Sequence, residues 1–241
     1  MADADKTATF VLVHGAWGGG WGFTPMANEM RRRGHDVFTP TMTGLGERTH
    51  LMNGSVNLST HIEDICNVIR YERLKDFVLA GHSYGGMVIT GVADRMPERI
   101  RSLVYIDAFL PENGKSLFDY TAAQTQQRLD DAGLKYGGFG MSPPGPFVLP
   151  GVSPEEAAEI EALRGPQPLA TCLEKIKLTG AGDRIANRMY IFAGNNPGGP
   201  FRQFYDRVRT APGWKTAEVD TGHGVHREKP AALITLLESM I

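Results

Sequence analysis

Short apolar runs recur along the chain, each followed by a polar or glycine-rich turn and then by residues with helical spacing. The first, Thr9-Phe10-Val11-Leu12-Val13-His14, has the length and continuity of a strand buried on both faces of a parallel sheet. Further strands are predicted at 36–39, 77–80, 102–106, 189–193 and 215–219. Helices are predicted over about 25–33, ended by Gly34, from Ser59 or Thr60 as N-cap, from the turn after Ala80 to about Met96, and from about Pro230 to the C-terminus. Alternating buried strands and helices predict an α/β architecture. About six parallel strands would be covered by helices on both faces, with right-handed crossovers and a ligand site at the C-terminal strand ends.

The stretch 111–185 breaks this rhythm. It has no core strand. Helices are expected over 116–132, 154–163 and 168–178, with a link rich in glycine and proline through Pro143, Pro144, Pro146 and Pro150. It is read as a helical cap inserted after the fourth strand. The expected organisation is one structural domain with a core over 1–110 and 186–241 and the cap over 111–185.

Composition narrows the field. A chain of 241 residues with 41% hydrophobic content can bury a single sizeable core. A formal net charge of -2 offers no basic field for nucleic acid or an anionic membrane. No apolar run approaches the roughly 20 residues of a membrane span, and Met1-Ala2-Asp3-Ala4-Asp5-Lys6 is unlike a signal peptide. A cytoplasmic protein acting on a small molecule is expected, with self-association left open. Cys66 and Cys172 are read as reduced, semi-buried thiols.

The chemistry centres on Gly81-His82-Ser83-Tyr84-Gly85. A Gly-x-Ser-x-Gly pattern recurs by chance. Here it lies directly between an apolar strand and an apolar helix, which makes it a nucleophile turn that lifts a serine hydroxyl above the sheet edge. The helix N-terminus behind it supplies backbone N–H groups for a developing oxyanion. A second donor is expected from His14-Gly15-Ala16-Trp17, after the first strand. Ala16 and Tyr84 N–H are therefore the candidate oxyanion hole. Residues 15–22 lack the spacing of a nucleotide-binding loop and no Walker lysine follows.

A serine needs a general base, and histidine is the usual one. Of seven histidines, His223 in Thr221-Gly222-His223 is the candidate, with His226 its rival. A metal pair at His223 and His226 would lack other ligands, and no metal or other cofactor is expected. The carboxylate that orients the base is less clear from sequence. Asp107, at the end of the fourth strand, is favoured. Glu112 and an uncharged role for Asn195 or Asn196 are the alternatives, because the loop after the fifth strand carries no acid.

These motifs, in this order and over nearly the whole chain, resemble the α/β-hydrolase superfamily. Val11-Leu12-Val13-His14-Gly15-Ala16-Trp17 with Gly19-Gly20-Trp21 is similar to the opening of its small esterase branch, which holds plant methylesterases, hydroxynitrile lyases and bacterial serine esterases. Thr41-Met42-Thr43-Gly44-Leu45-Gly46-Glu47-Arg48 is closer to bacterial members. The resemblance implies the α/β-hydrolase fold, a six-stranded parallel sheet, a small helical cap and no cofactor. Hydroxynitrile lyases of this branch carry a lysine directly after the catalytic histidine, and Gly224 stands there.

The expected chemistry is acyl transfer to water through Ser83, His223 and Asp107. The expected substrate is an ester or carbamate of a small, mostly apolar or aromatic molecule. Amide or lactone cleavage is the nearest alternative, ahead of a lyase or a non-catalytic receptor. Trp17, Trp21, Phe109, Phe118, Tyr120, Phe139 and Phe147 are the candidate substrate-binding residues, some of which would only pack the cap on the sheet. No basic residue marks an anionic substrate.

Overall fold

The computed structural model describes residues 7–145, 152–196 and 198–241. In chain order its elements are β1 (Thr9–Val13), α1 (Thr24–Arg32), β2 (Asp36–Phe38), α2 (Leu58–Tyr71), β3 (Phe77–His82), α3 (Gly85–Arg95), β4 (Ile100–Ile106), α4 (Ala122–Lys135), β5 (Gly140–Met141), α5 (Pro154–Ala162), β6 (Gln167–Pro168), α6 (Ala170–Leu173), β7 (Asn187–Ala193), α7 (Arg202–Val208), β8 (Trp214–Val219), α8 (Val225–Glu228) and α9 (Pro230–Glu238). Six strands form one sheet in the order β2-β1-β3-β4-β7-β8, and every pairing within it is parallel. This is the α/β-hydrolase sheet that the sequence predicts.

Side chains alternate across a strand, and both faces of this sheet are covered. Phe10, Leu12, Val78, Ala80, Val104, Ile106, Met189 and Ile191 point to one face, where they pack with Met26 and Met30 of α1 and with Leu233, Ile234 and Leu237 of α9. The residues between them, Val11, Val13, Leu79, Leu103, Tyr105, Tyr190 and Phe192, point to the other face, where they share a core with α2 and α3. A slip of one residue in any central strand would exchange these two sets, so the register is strongly specified.

The N-cap of α2 is Asn57, not Ser59 or Thr60. Its side chain accepts from Thr60 N at 2.9 Å while Thr60 Oγ1 accepts from Asn57 N at 3.3 Å, a reciprocal capping box. Ser59 is drawn away to Glu174, its hydroxyl donating at 2.6 Å.

The segment between β4 and β7 differs in detail from expectation. The helix expected over 116–132 starts as a 3-10 turn at Phe118–Tyr120, and the α-helix runs Ala122–Lys135. The helix expected over 168–178 contracts to Ala170–Leu173. Gln167 and Pro168 instead pair antiparallel with Met141 and Gly140. Helix α7 and the short α8 were not predicted. Both cysteines are free and buried. Among the described residues no helix is long and apolar enough to cross a membrane.

Candidate active site

Ser83 sits in the turn between β3 and α3 with φ 55°, a left-handed conformation that costs a non-glycine residue energy. The turn is held by its own backbone, since Ser83 O accepts from Gly86 N at 3.0 Å and from Phe109 N at 3.1 Å. It also needs close approach. A Cβ on Gly85 would lie 2.6 Å from Val13 O, and one on Gly15 would lie 3.0 Å from Ser83 Cβ. The loop after β1 is thereby pressed against the serine.

A cavity of about 550 Å³ opens here, at the C-terminal ends of the strands. Ala16, Trp17, Ser83, Tyr84, Phe109, Asn196 and His223 all line it. Among the described residues, the N–H groups of Ala16 and Tyr84 donate to no protein acceptor, which leaves both free for an oxyanion. Among the described residues the Ser83 hydroxyl makes no hydrogen bond, and Ser83 is nearly buried in the cavity floor.

His223 Nδ1 lies 2.7 Å from Asp107 Oδ2. Asp107 follows β4, is fully buried and has φ 40°. It is tied down by three further contacts. Its N–H donates to Ile191 O at 2.7 Å, Oδ1 accepts from Ala193 N at 3.2 Å, and Oδ2 accepts from Asn196 Nδ2 at 2.9 Å. With the His223 proton held on Nδ1 by the carboxylate, Nε2 is the nitrogen with a lone pair, and His223 lines the cavity. Phe201 stacks on the imidazole at 4.8 Å and 8°, which fixes the ring plane.

The alternatives to Asp107 make other contacts. Glu112 pairs with Arg207 at 3.2 Å on the surface. Asn195 bonds to Asp220. Asn196 does take part, but through the carboxylate and not through the imidazole. His226 has no carboxylate partner, and burial pushes its pKa down to about 3. Its ring and that of His223 flank His82, at 4.8 and 4.5 Å. Burial, with His223 and His226 beside it, also holds His82 well below the usual imidazole range. His82 Nε2 donates to the His223 carbonyl at 2.8 Å, tying the base loop to the serine turn. Among the described residues no third ligand-type side chain joins a histidine pair in a metal-holding group.

His14 and His61 have structural partners. His14 Nδ1 donates to Gly15 O at 2.8 Å and its Nε2 accepts from Met42 N at 3.1 Å. His61 Nε2 donates to Thr43 O at 2.8 Å, so its Nδ1 accepts the Tyr84 hydroxyl proton at 2.9 Å.

Three residues of the inserted segment grip the loop that carries Ala16. Trp17, with φ 61°, donates its N–H to Gln167 Oε1 at 3.1 Å and its indole N–H to Met141 O at 3.2 Å, and its carbonyl accepts from Gly165 N at 3.2 Å. Gln167 is fully buried and passes its own N–H to Thr171 Oγ1 at 2.7 Å. Sequence analysis missed Gln167, because a lone glutamine in a proline-rich stretch carries no signal.

The expected aromatic lining is only partly present. Trp17, Trp21 and Phe109 line the cavity. Phe118 is buried in the core. Tyr120 packs on Phe109 and Phe204, and its hydroxyl accepts from Glu112 N. Phe139 is 51% exposed and lies against Gly54. None of these three lines the cavity, and Phe147 lies outside the described residues. No basic residue marks an anionic substrate in the sequence, and the structure places Arg128, Arg164 and Arg227 in the cavity wall.

Known proteins resemble this chain over its whole length. The carbendazim hydrolyzing esterase of Nocardioides sp. (strain SG-4G) is 41% identical, over 97% of this chain and 99% of its own. An extracellular α/β-hydrolase from a Paenibacillus species, described as structurally and functionally homologous to tobacco salicylic acid binding protein 2, superposes with a TM-score of 0.82 at 27% identity, over 97% of this chain and 98% of its own. A pyrethroid hydrolase from Sphingobium faniae JZ-2 shares the fold, with a TM-score of 0.74 at 19% identity over 97% of each chain. The model of the alpha/beta hydrolase family matches residues 10–236. With a parallel sheet of this strand order beneath a serine turn at the end of β3, the chain belongs to the α/β hydrolase family.

Proposed function

We propose that the protein is a serine esterase that hydrolyses an ester or carbamate bond of a small, mostly apolar or aromatic molecule, with Ser83 as nucleophile, His223 as general base and Asp107 as the orienting acid. The 2.7 Å contact between His223 and a buried, fully bonded Asp107, beside a serine turn in one cavity, carries this reading. Ser83 Oγ attacks the substrate carbonyl as His223 Nε2 takes its proton. The N–H groups of Ala16 and Tyr84 receive the oxyanion. His223 then protonates the leaving oxygen or nitrogen, and a water activated by the same imidazole cleaves the acyl-enzyme. The described part of 111–185 acts as a cap, lending Leu117, Arg128, Ile160 and Cys172 to the cavity wall and holding the loop after Ala16 through Met141, Gly165 and Gln167.

Trp17, Trp21 and Phe109 supply flat apolar surface, which favours aromatic substrates. The relative named for carbendazim supports including carbamates. Gly224 after His223 disfavours lyase chemistry. The test is turnover of aryl esters, aryl carbamates including carbendazim, and anilides, each with a Ser83→Ala control. Serine-dependent release of product supports the assignment. Turnover that survives Ser83→Ala, or a Ser83 that resists fluorophosphonate labelling, would overturn it.

A further inference from the structure

The cavity wall beyond His223 carries polar groups that acyl transfer does not use. Arg227 lies on α8 with its guanidinium over the Trp21 ring, 5.2 Å from the centroid. Both residues line the cavity. Arg227 is half-buried; among the described residues it forms no salt bridge, and the exposed Glu156 acts on its charge at longer range. Arg164 differs, because Glu161 meets its charge at 2.5 Å. No Asp or Glu among the described residues lines the cavity. Next to Arg227, His226 Nδ1 is buried without a hydrogen-bond partner and belongs to the same wall.

A half-buried guanidinium with no carboxylate in direct contact gains from an anionic partner at its free edge. Burial lowers the Arg227 pKa, yet arginine stays protonated in proteins. Trp21 covers one face of the group and holds its plane, so the N–H edges remain for a ligand. That edge is a rigid fork matched to a carboxylate. The His226 ring packs on His82, which packs on His223, so this region starts one imidazole away from the base.

We propose that Arg227, stacked on Trp21 and flanked by His226, forms a subsite for an anionic acceptor group, so that the enzyme prefers esters carrying a second, free carboxylate. The proposal rests on the esterase reading for its substrate but not for its test. The ligand pair is monomethyl terephthalate and its neutral carboxamide counterpart, titrated calorimetrically into the Ser83→Ala protein, where no turnover is needed.

The carboxylate should bind about tenfold more tightly than the carboxamide, the scale of one charge-assisted contact. Arg227→Gln in the same background should bring the ratio close to one. Arg227→Lys, which keeps the charge but not the fork, should retain part of it. The preference should also weaken as salt rises. Equal binding of the two ligands, or a preference that survives Arg227→Gln, overturns the proposal. Ser83 labelling of the wild-type enzyme reports separately on the esterase reading.

Discussion

The side-chain oxygen of Gln167 accepts the backbone N–H of Trp17 at 3.1 Å, joining residues 150 apart in sequence. Trp17 follows Ala16 directly and is held at positive φ, so this contact sets where the Ala16 N–H points. Gln167→Met should leave a buried N–H unpaired and let the loop relax. The expected loss is about 2 kcal/mol of stability and about a hundredfold in kcat, the scale of one misplaced oxyanion donor. KM should change much less. Steady-state kinetics well below Tm, together with the rate of fluorophosphonate labelling, read this directly. An unchanged kcat in the folded variant would show that Gln167 only packs.

The Asp107 carboxylate meets Ala193 N through Oδ1 and both Asn196 Nδ2 and His223 Nδ1 through Oδ2, and the effects of substitution should be graded accordingly. Asp107→Asn should lower kcat by about 10⁴-fold, because the imidazole loses its fixed tautomer. Asn196→Ala removes one donor to the same oxygen and should cost about tenfold. If Asn196→Ala costs as much as Asp107→Asn, the asparagine and not the carboxylate orients the base.

Two histidines compete for the role of base, and the structure separates them. His223 has a carboxylate at 2.7 Å, whereas burial brings His226 to about 3. His223→Ala should lower kcat by about 10⁴-fold or more, and His226→Ala by a far smaller factor. The reverse order in kcat would exchange the assignments.

The buried neutral histidines should make the fold sensitive to acid. Burial lowers the pKa of His14 and of His61 to about 4 from the ordinary 6.5. The unfolded chain takes up protons near 6.5 that the folded chain refuses, so stability is complete above that pH. It is lost progressively as the pH falls from 6.5 towards 4, with each such histidine contributing on the order of 3 kcal/mol across the window. Thermal unfolding followed from pH 7 to pH 4.5 should show Tm falling. In His61→Gln the fall should be shallower. A Tm independent of pH over this range would contradict the buried neutral assignment.

Much of the molecule was legible along the chain. Val11-Leu12-Val13 and Phe77-Val78-Leu79-Ala80 announce buried strands, because continuous apolar runs of that length have few other uses. Gly81-His82-Ser83-Tyr84-Gly85 announces a tight turn from strand to helix that carries Ser83, because its glycines answer to backbone crowding. Thr221-Gly222-His223 marks a candidate base by its place before the last helices. All of these signals are local in sequence, and local patterns survive into the fold.

What only the tertiary structure decided depends on contacts between distant segments. Which side chains meet at Asp107 was decided when β4, β7 and β8 paired side by side and brought Asn196 and His223 to one carboxylate, 89 and 116 residues away. The aromatic residues of the inserted segment divided between cavity, core and surface only once that segment packed. Gln167 and Arg227 have no pattern around them in the chain. Their meaning comes from packing beside a loop and a ring far away in sequence, and a linear string of residues does not record which groups will be withdrawn from water together.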